Sequence, residues 1–153
     1  MSATRAQVMS AVLAIIQGMT FASPINGKTT WAEAPTSRLR LWDSVGADQQ
    51  PAAFLVTHRE MDEYRNLGLL RRRLELGVWC YCMASDAEPG QTSLDTMLQA
   101  FEAAFIKPDN FSTNANTLGG LVYWCRIEGR VFKVPGDIDN QAMLVVPVVC
   151  EMP

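Results

Sequence analysis

The sequence is short of the residues that build catalytic and metal centres. Histidine occurs once, at His58, and the four cysteines stand at positions 80, 82, 125 and 150 without a CxxC motif. Four cysteines are too few for a disulfide scaffold in a chain of 153 residues. A zinc site would need three or four of these thiols to converge, and their spacing gives no indication of it. We therefore expect reduced thiols in a cytosolic setting, with no metal and no cofactor.

Charge is also scarce, and its balance is mildly acidic. Charged residues make up 19% of the chain, the net charge is -3 and the pI is about 5.1. Free-standing nucleic-acid-binding proteins usually carry a basic balance, so this composition disfavours such a role. It is compatible with a ring that lets DNA pass without gripping it. The length predicts a single domain, residues 1–153, with a substantial core.

The N-terminal segment carries apolar residues at helical spacing. This pattern predicts an amphipathic helix over residues 4–17 that ends near Gly18. Arg5 followed by an apolar run also resembles a secretory signal, which would make the protein a secreted binding module. We favour the docked helix, because polar residues fill its other side. The run is too interrupted for a membrane span, so we expect no membrane partner. The apolar positions are Val8, Val12, Ile15, Ile16 and Met19.

Alternation of apolar and polar residues predicts strands in the first half of the chain. Residues 52–62 and 70–83 are joined by Asn66-Leu67-Gly68 and are expected to pair as a long antiparallel hairpin. In residues 70–83 the even positions are mostly aliphatic, while the odd positions carry charged and aromatic side chains. That division is typical of a sheet that is covered on one side. Residues 37–42 predict a shorter strand.

The second half predicts another helix and another hairpin. Thr92 or Ser93 is expected to cap the helix, Pro108 ends it, and a polar loop covers residues 107–117. The hairpin arms are residues 120–134 and 141–150, with a turn at Pro135-Gly136-Asp137. Gly129 is interpreted either as a bulge or as a turn that would divide the first arm into two short strands, and Pro147 indicates an edge position or a bulge. The apolar stripe of the helix comprises Leu94, Met97, Leu98, Phe101 and Phe105.

The order helix, strands, helix, strands predicts an α+β domain. We expect an antiparallel or mixed sheet of about four to five strands with two helices packed on one face. Four tryptophans could anchor interfaces wherever they do not belong to the core. They stand at positions 31, 42, 79 and 124.

Short motifs that might indicate chemistry have simpler structural interpretations. A phosphate loop would need a lysine and a helix after Gly119-Gly120, but the strand-forming Leu-Val-Tyr-Trp follows, so we expect a backbone turn. Asp137 and Asp139 lack the glutamate of a calcium loop. The sequon at residues 110–112 matters only in a secreted protein. The run of arginines at residues 71–73 indicates a solvated edge or an inter-subunit salt-bridge strip.

A catalytic cysteine would need a base, and only His58 is available. A remote alternative is therefore a small hydrolase that uses His58 with Cys80, Cys82 or Cys125. All four thiols, however, stand in phase with apolar neighbours, which predicts buried, inert cysteines. For example, Cys125 is in phase with Leu121, Tyr123 and Ile127. The clustered acids Glu60, Asp62 and Glu63 show no acid–base geometry, so we expect no catalytic residues and no enzyme.

The order of segments along the chain resembles a known family. After the N-terminal helix come "RLRLW", "QQPAAFLV" and "RRRLELGVWCYCM"; after the second helix come "TLGGLVYWCRIEG", "PGDIDNQA" and "MLVVPVV". This order, from about Val8 to Val149, is similar to that of the tail terminator (tail completion, or minor tail protein U-like) family of long-tailed bacteriophages. The most telling piece is residues 117–120. None of these pieces is a catalytic motif.

The resemblance implies structural work in a virion. Such proteins form a hexameric ring on the head-proximal end of the tail tube, which stops polymerisation of the major tail tube protein. The ring then offers a docking surface to the head–tail connector and neck proteins, and phage DNA passes through its lumen without specific binding. Assembly would take place in the host cytoplasm. Another connector or neck (stopper) protein is the alternative within the same class.

Overall fold

The computed structural model describes residues 3–65, 68–110, 112, 114–136 and 140–153. Within them the chain forms a single α+β domain of two helices and five strands, as the sequence predicts. Two short 3₁₀ turns, Trp42–Ser44 and Ala47–Gln49, precede the first strand. The elements are α1 (Arg5–Gln17), β1 (Ala52–Arg65), β2 (Leu69–Met83), α2 (Gly90–Phe105), β3 (Trp124–Ile127), β4 (Phe132–Val134) and β5 (Gln141–Met152).

All strand pairs of the sheet are antiparallel. The order is β1-β2-β5-β3, and β4 pairs with β5 beyond the end of β3. The predicted hairpin of β1 and β2 is confirmed, with Leu55 opposite Val78 and Ala53 opposite Cys80. β2 continues in register onto β5, where Val78 lies opposite Val146. β5 is therefore an interior strand.

Both helices pack on one face of the sheet, as predicted. The even-numbered residues of β2 and β5 point toward them, and we call this side the covered face. Its side chains join one large core with the helices, including the predicted stripe of α2, of which Leu98 is half-buried. Burial of each large aliphatic or aromatic side chain contributes about 1.5–3 kcal/mol. The core includes Val8, Val12, Ile16, Leu74, Leu76, Val78, Met97, Phe101, Phe105, Leu144, Val146 and Val148.

Helix α1 begins and ends where local chemistry requires. The Thr4 hydroxyl accepts a hydrogen bond from the Gln7 amide (3.2 Å), and the Gln7 side chain accepts one from the Thr4 amide (2.8 Å). This reciprocal capping box satisfies two amides that the helix leaves open. Gly18 stands at the C-terminal cap, as predicted. The Trp31 indole donates to the Ile16 carbonyl at 2.8 Å, which places Trp31 in the core.

The predicted N-cap of α2 at Thr92 or Ser93 is wrong by three to four residues. The helix begins at Gly90, and Pro89 is its N-cap residue without a side-chain hydrogen bond. A methyl group on Gly90 would lie 1.8 Å from the Pro135 carbonyl oxygen. Close packing against a distant turn, rather than a capping side chain, therefore fixes this end of the helix.

The predicted strand over residues 37–42 is also wrong. Thr36 makes only an isolated parallel bridge to Phe54, and the segment then runs irregularly into the 3₁₀ turn at Trp42–Ser44. Instead of pairing, it packs Leu39 against a small second core of Val45, Ala52, Phe54 and Tyr81. The Tyr81 hydroxyl donates to the Arg40 carbonyl at 3.0 Å. The segment thus covers one end of the other face of the sheet.

The predicted arm over residues 120–134 is broken into β3 and β4. Both pair with β5, at residues 148–151 and 143–145, so the unpaired stretch lies beside Pro147. Proline donates no ladder hydrogen bond, and Gly129 adopts a φ of 122° there. Pro147 therefore lies neither at an edge nor in a bulge, and the alternative that Gly129 divides the arm into two short strands is confirmed. The predicted turn residue Asp137 lies outside the described residues.

Candidate interaction surfaces

The structure does not bring His58 together with any of the four thiols. Cys80, Cys82, Cys125 and Cys150 all lie on the covered face and are buried. His58 lies on the opposite face, which we call the open face, with its ring centroid 6.4 Å from that of Trp79. The thickness of the sheet separates the imidazole from each sulfur.

Three of the four thiols also have raised pKa values, which favours their protonated form. Burial raises the pKa of the Cys80 thiol and raises that of Cys82 to about 12. A hydrogen bond with Cys150 and burial raise the pKa of Cys125. Because the thiolate is the nucleophile, these environments are typical of structural cysteines. Cys125 and Cys150 lie directly opposite each other, with their sulfur atoms 3.3 Å apart.

A bulge in β1 explains the position of His58. The register shifts between Thr57 and Arg59, which leaves His58 as the extra residue. Its imidazole occupies the space above Gly77, where a methyl group would lie only 2.1 Å from the His58 Nε2 atom. A glycine in the interior of a strand often marks a close approach of this kind. Gly77 is therefore the one signal in the sequence that could have predicted the bulge at His58.

The open face is divided into an apolar half and a charged half. In the apolar half, Trp79 lies opposite Phe54 on one side and Val145 on the other, and Val145 lies opposite Phe132. Next to this row of residues, Val134 lies opposite Met143 and is 37% exposed. Large apolar side chains that are this exposed and lie together commonly mark contact surfaces. The exposed ones on this half or on the adjoining 3₁₀ segment are Leu41, Trp42, Phe132 and Val134.

The charged half carries a continuous chain of ion pairs. Glu75 lies between Arg59 (2.9 Å) and Arg73 (3.5 Å). Glu128 lies between Arg73 and Arg126, at 3.3 Å from each. The Arg126 guanidinium also lies 3.9 Å from the centroid of the Trp124 ring. Exposed pairs contribute little each, but a network fixes the relative position of the strands.

The arginine run does not lie at a sheet edge. β2 is flanked by β1 and β5, so the predicted solvated edge is wrong. Arg71 pairs with Glu151 at 2.7 Å, and Arg72 approaches Asp62 at 3.5 Å. All three arginines therefore have carboxylate partners within the chain.

Beyond the bulge, the β1–β2 hairpin forms an arm. Every residue from Thr57 to Tyr64 is exposed, although side chains alternate between two faces. We call residues 57–65 and 69–73 the hairpin arm. Its exposed apolar side chains are Met61 (52%) and Tyr64 (75%). The Arg5 guanidinium hydrogen-bonds Glu60 and lowers the pKa of that carboxylate, which ties the arm to the start of α1.

A cavity of about 480 Å³ lies between the end of α2 and β3. Its apolar lining includes Ile106 (75% exposed) and Tyr123 (51% exposed), and Cys125 forms part of its wall. The prediction that Tyr123 shares the face of Cys125 is wrong, because residues 120–123 form a turn and Val122 is buried instead. Arg71, Lys107 and Arg126 also line the cavity, and no carboxylate is among its described lining residues.

The glycine pair is a backbone turn, as predicted. Gly119 and Gly120 have φ values of 71° and 93°, which favour glycine. The Asp109 carboxylate accepts hydrogen bonds from the Thr117 amide (2.7 Å) and the Gly119 amide (2.9 Å). These bonds lower the pKa of Asp109. The loop before the turn thus holds residues 117–120 in place.

Among the described residues, no group of three or more His, Cys, Asp or Glu side chains is placed to hold a metal ion. Nor does any described helix have the length and apolar character needed to cross a bilayer.

No family model matches the chain, and no curated protein matches it either. The candidate surfaces are therefore the apolar half of the open face, the hairpin arm and the cavity beside β3.

Proposed function

We propose that this chain is a structural virion protein of the tail terminator type. In this role it forms a ring on the head-proximal end of a phage tail tube and ends polymerisation of the tube protein. The observation that carries the proposal is the hairpin arm beside an open sheet face. Together they give one subunit separate exposed surfaces for several neighbours. The order of sequence segments that resembles the tail terminator family supports the same role.

A ring requires two different surfaces on each subunit. When these surfaces meet head to tail, the assembly closes if the rotation between subunits divides the circle evenly. The exposed apolar side chains of the hairpin arm, Met61 and Tyr64, lie on the edge strand β1, whereas the cavity lies beside β3 and takes only Arg71 from the arm. Contacts between such surfaces would be heterologous. Six subunits is the number that the resemblance implies.

The remaining exposed surfaces suit the partners along the particle axis. The apolar half of the open face, with Trp42 and Phe132, is our candidate contact for the major tail tube protein. The neck or connector proteins would bind the opposite rim. The mildly acidic chain would let DNA slide through the lumen, because it does not attract phosphates strongly. The role requires no cofactor and no catalytic residue.

The proposal is tested by adding the purified protein to polymerising tube protein of the same phage. We expect six-fold rings in electron micrographs, and tubes that carry a ring at one end and stop growing. Light scattering would follow the halt in growth. A protein that stays monomeric with tubes present, and never caps them, would contradict the proposal.

Variants of the exposed apolar residues locate the contacts. Tyr64→Ser with Met61→Ser should abolish ring formation without lowering the melting temperature, because both side chains are exposed in the monomer. Glu102→Ala, at an exposed position of α2, is the control and should form rings. Phe132→Ser should form rings that no longer cap tubes. Rings that bind the portal side but not the tube would instead indicate a neck protein.

A further inference from the structure

We propose that Cys125 and Cys150 are an oxidisable pair, which a small anionic disulfide reaching the cavity beside β3 converts into a cross-strand disulfide. The two residues are direct partners in the β3–β5 ladder. Both are free thiols, and their sulfur atoms are 3.3 Å apart.

The backbone permits the bond without rearrangement. Residues directly opposite in antiparallel strands have Cα atoms about 4.5–5.5 Å apart, which lies within the range of about 4.4–6.8 Å that disulfides span. The Cys125 amide donates to the Asn116 carbonyl at 2.8 Å, so it is not engaged with Cys150. Only side-chain rotation is needed to bring the sulfurs to about 2.05 Å.

The cavity provides the route to the pair. Cys125 lines it, while Cys150 is fully buried behind, so Cys125 is the sulfur that an oxidant meets first. Lys107 supplies positive charge at the cavity, and Arg71 and Arg126, which pair with Glu151 and Glu128, also line it. This environment favours a disulfide that carries carboxylates, such as oxidised glutathione.

The chemistry proceeds by two thiol–disulfide exchanges. Cys125 first loses its proton to solvent, and its raised pKa keeps the thiolate fraction small and the exchange slow. The thiolate attacks one sulfur of oxidised glutathione, and the other glutathione leaves as a thiolate. The Cys150 thiolate then attacks the Cys125 sulfur of the mixed disulfide and displaces the second glutathione. Two thiol protons and two electrons leave the protein, and one glutathione disulfide becomes two glutathione thiols.

The other two cysteines provide an internal control. Cys80 lies opposite Ala53 on β1 and Leu144 on β5, and Cys82 lies opposite Ala142 on β5. Neither of them therefore faces a thiol on a neighbouring strand. Neither lines the cavity beside β3. Oxidation should therefore distinguish the two pairs.

The bond would fasten a short strand at the edge of the sheet. β3 has only four residues, and the disulfide would tie it to the interior strand β5. If the protein works in a virion, which rests on the proposed function, the dithiol form would persist in a reducing cytoplasm. The disulfide form would arise after release. The formation of the bond itself does not depend on that role.

The experiment oxidises the full-length native protein with oxidised glutathione, or with the uncharged 2-hydroxyethyl disulfide. Because the thiols are buried, the oxidised protein is unfolded in urea at the moment when free thiols are blocked with N-ethylmaleimide, and linked peptides are then identified by mass spectrometry. We expect a Cys125–Cys150 link, two blocked thiols at positions 80 and 82, and a melting temperature that rises by several degrees. Dithiothreitol should reverse that rise. Four blocked thiols after prolonged oxidation, or a link between positions 80 and 82, would overturn the proposal.

Variants separate the pair from the route. The double variant Cys80→Ala/Cys82→Ala should still form the link, whereas Cys125→Ala should show no oxidation-dependent rise in melting temperature. Should Cys125→Ala fail to fold, the peptide map of the unaltered protein decides. Lys107→Glu should lower the rate of oxidation by oxidised glutathione severalfold and should leave the rate with 2-hydroxyethyl disulfide unchanged. Equal rates for both oxidants in both proteins would refute the cavity route. Because the readout is a bond in the free protein, the result stands whether or not rings form.

Discussion

The two faces of the sheet are built from the same strands in the same register, yet they differ in every property that matters for function. Val78 and Val146 on the covered face are completely buried, whereas Trp79 and Val145 beside them on the open face are half-buried. The helices account for this difference, because both pack on one side. Stability is concentrated on the covered face, and the open face is left for contacts and charge.

The comparison also explains where the histidine and the cysteines lie. Small apolar thiols suit a tightly packed core, while an imidazole requires contact with water or a partner. The bulge at His58 and the glycine at position 77 place the ring on the open side. The sheet therefore separates the four thiols on the covered face from His58 on the open face.

The difference in burial between the two faces is tested most strongly by truncating one phenylalanine on each face. Phe101→Ala removes a fully buried ring from the covered side and should lower the free energy of unfolding by about 3–5 kcal/mol. Phe132→Ala removes a ring that is 56% exposed and should cost less than about 1 kcal/mol. Urea denaturation measures both. Equal losses would show that the open face is buried in the free protein.

An intermediate effect is expected at Gly77, where the open face is most crowded. Gly77→Ala places a methyl group 2.1 Å from the His58 Nε2 atom, so the imidazole must swing away. We expect a loss of about 1–2 kcal/mol in the free energy of unfolding. In a His58→Ala background the same substitution should cost clearly less, and a double-mutant cycle measures that coupling. Additive losses would mean that the imidazole does not occupy this space.

The smallest effect concerns the edge of the sheet, at the turn that leads into β3. Backbone amide hydrogen bonds from Gly119 and Thr117 lower the pKa of Asp109. Its contribution to stability is therefore fully present above the ordinary carboxyl pKa of about 4 and is lost as the pH falls through the lower folded value. Asp109→Asn should reduce stability modestly at neutral pH and should lose this part of the acid dependence. Thermal unfolding between pH 2 and pH 7 compares the two proteins. If the dependence of stability on pH is the same in both proteins, the Asp109 carboxylate does not stabilise the turn.

Local patterns predicted much of the fold. The hairpin of β1 and β2 and its aliphatic face followed from alternation, and α1 followed from helical spacing with a glycine at its end. The errors lie where distant residues decide. Residues 37–42 alternate like a strand, but they lie over Tyr81 instead of pairing. Residues 120–134 form two strands because Pro147, on another strand, interrupts the ladder.

The surfaces were less predictable than the core. Burial of all four thiols was predicted from phase and is confirmed. The exposed position of Tyr123 was missed, because a turn before β3 shifts the alternation by one residue. The cavity beside β3 combines side chains from β2, the end of α2 and β3, so no local pattern could reveal it.

Local patterns in the sequence are enough to predict the main helices and the long hairpin. They also predict that the four thiols belong to a core. These features depend on periods of two and of about 3.6 residues, which are local. The tertiary structure is needed to show that Cys125 lies opposite Cys150, that His58 lies over Gly77 and that the arm meets α1 through Glu60 and Arg5. Those outcomes depend on strand register and on what packs across the sheet, and such contacts join residues far apart in the chain.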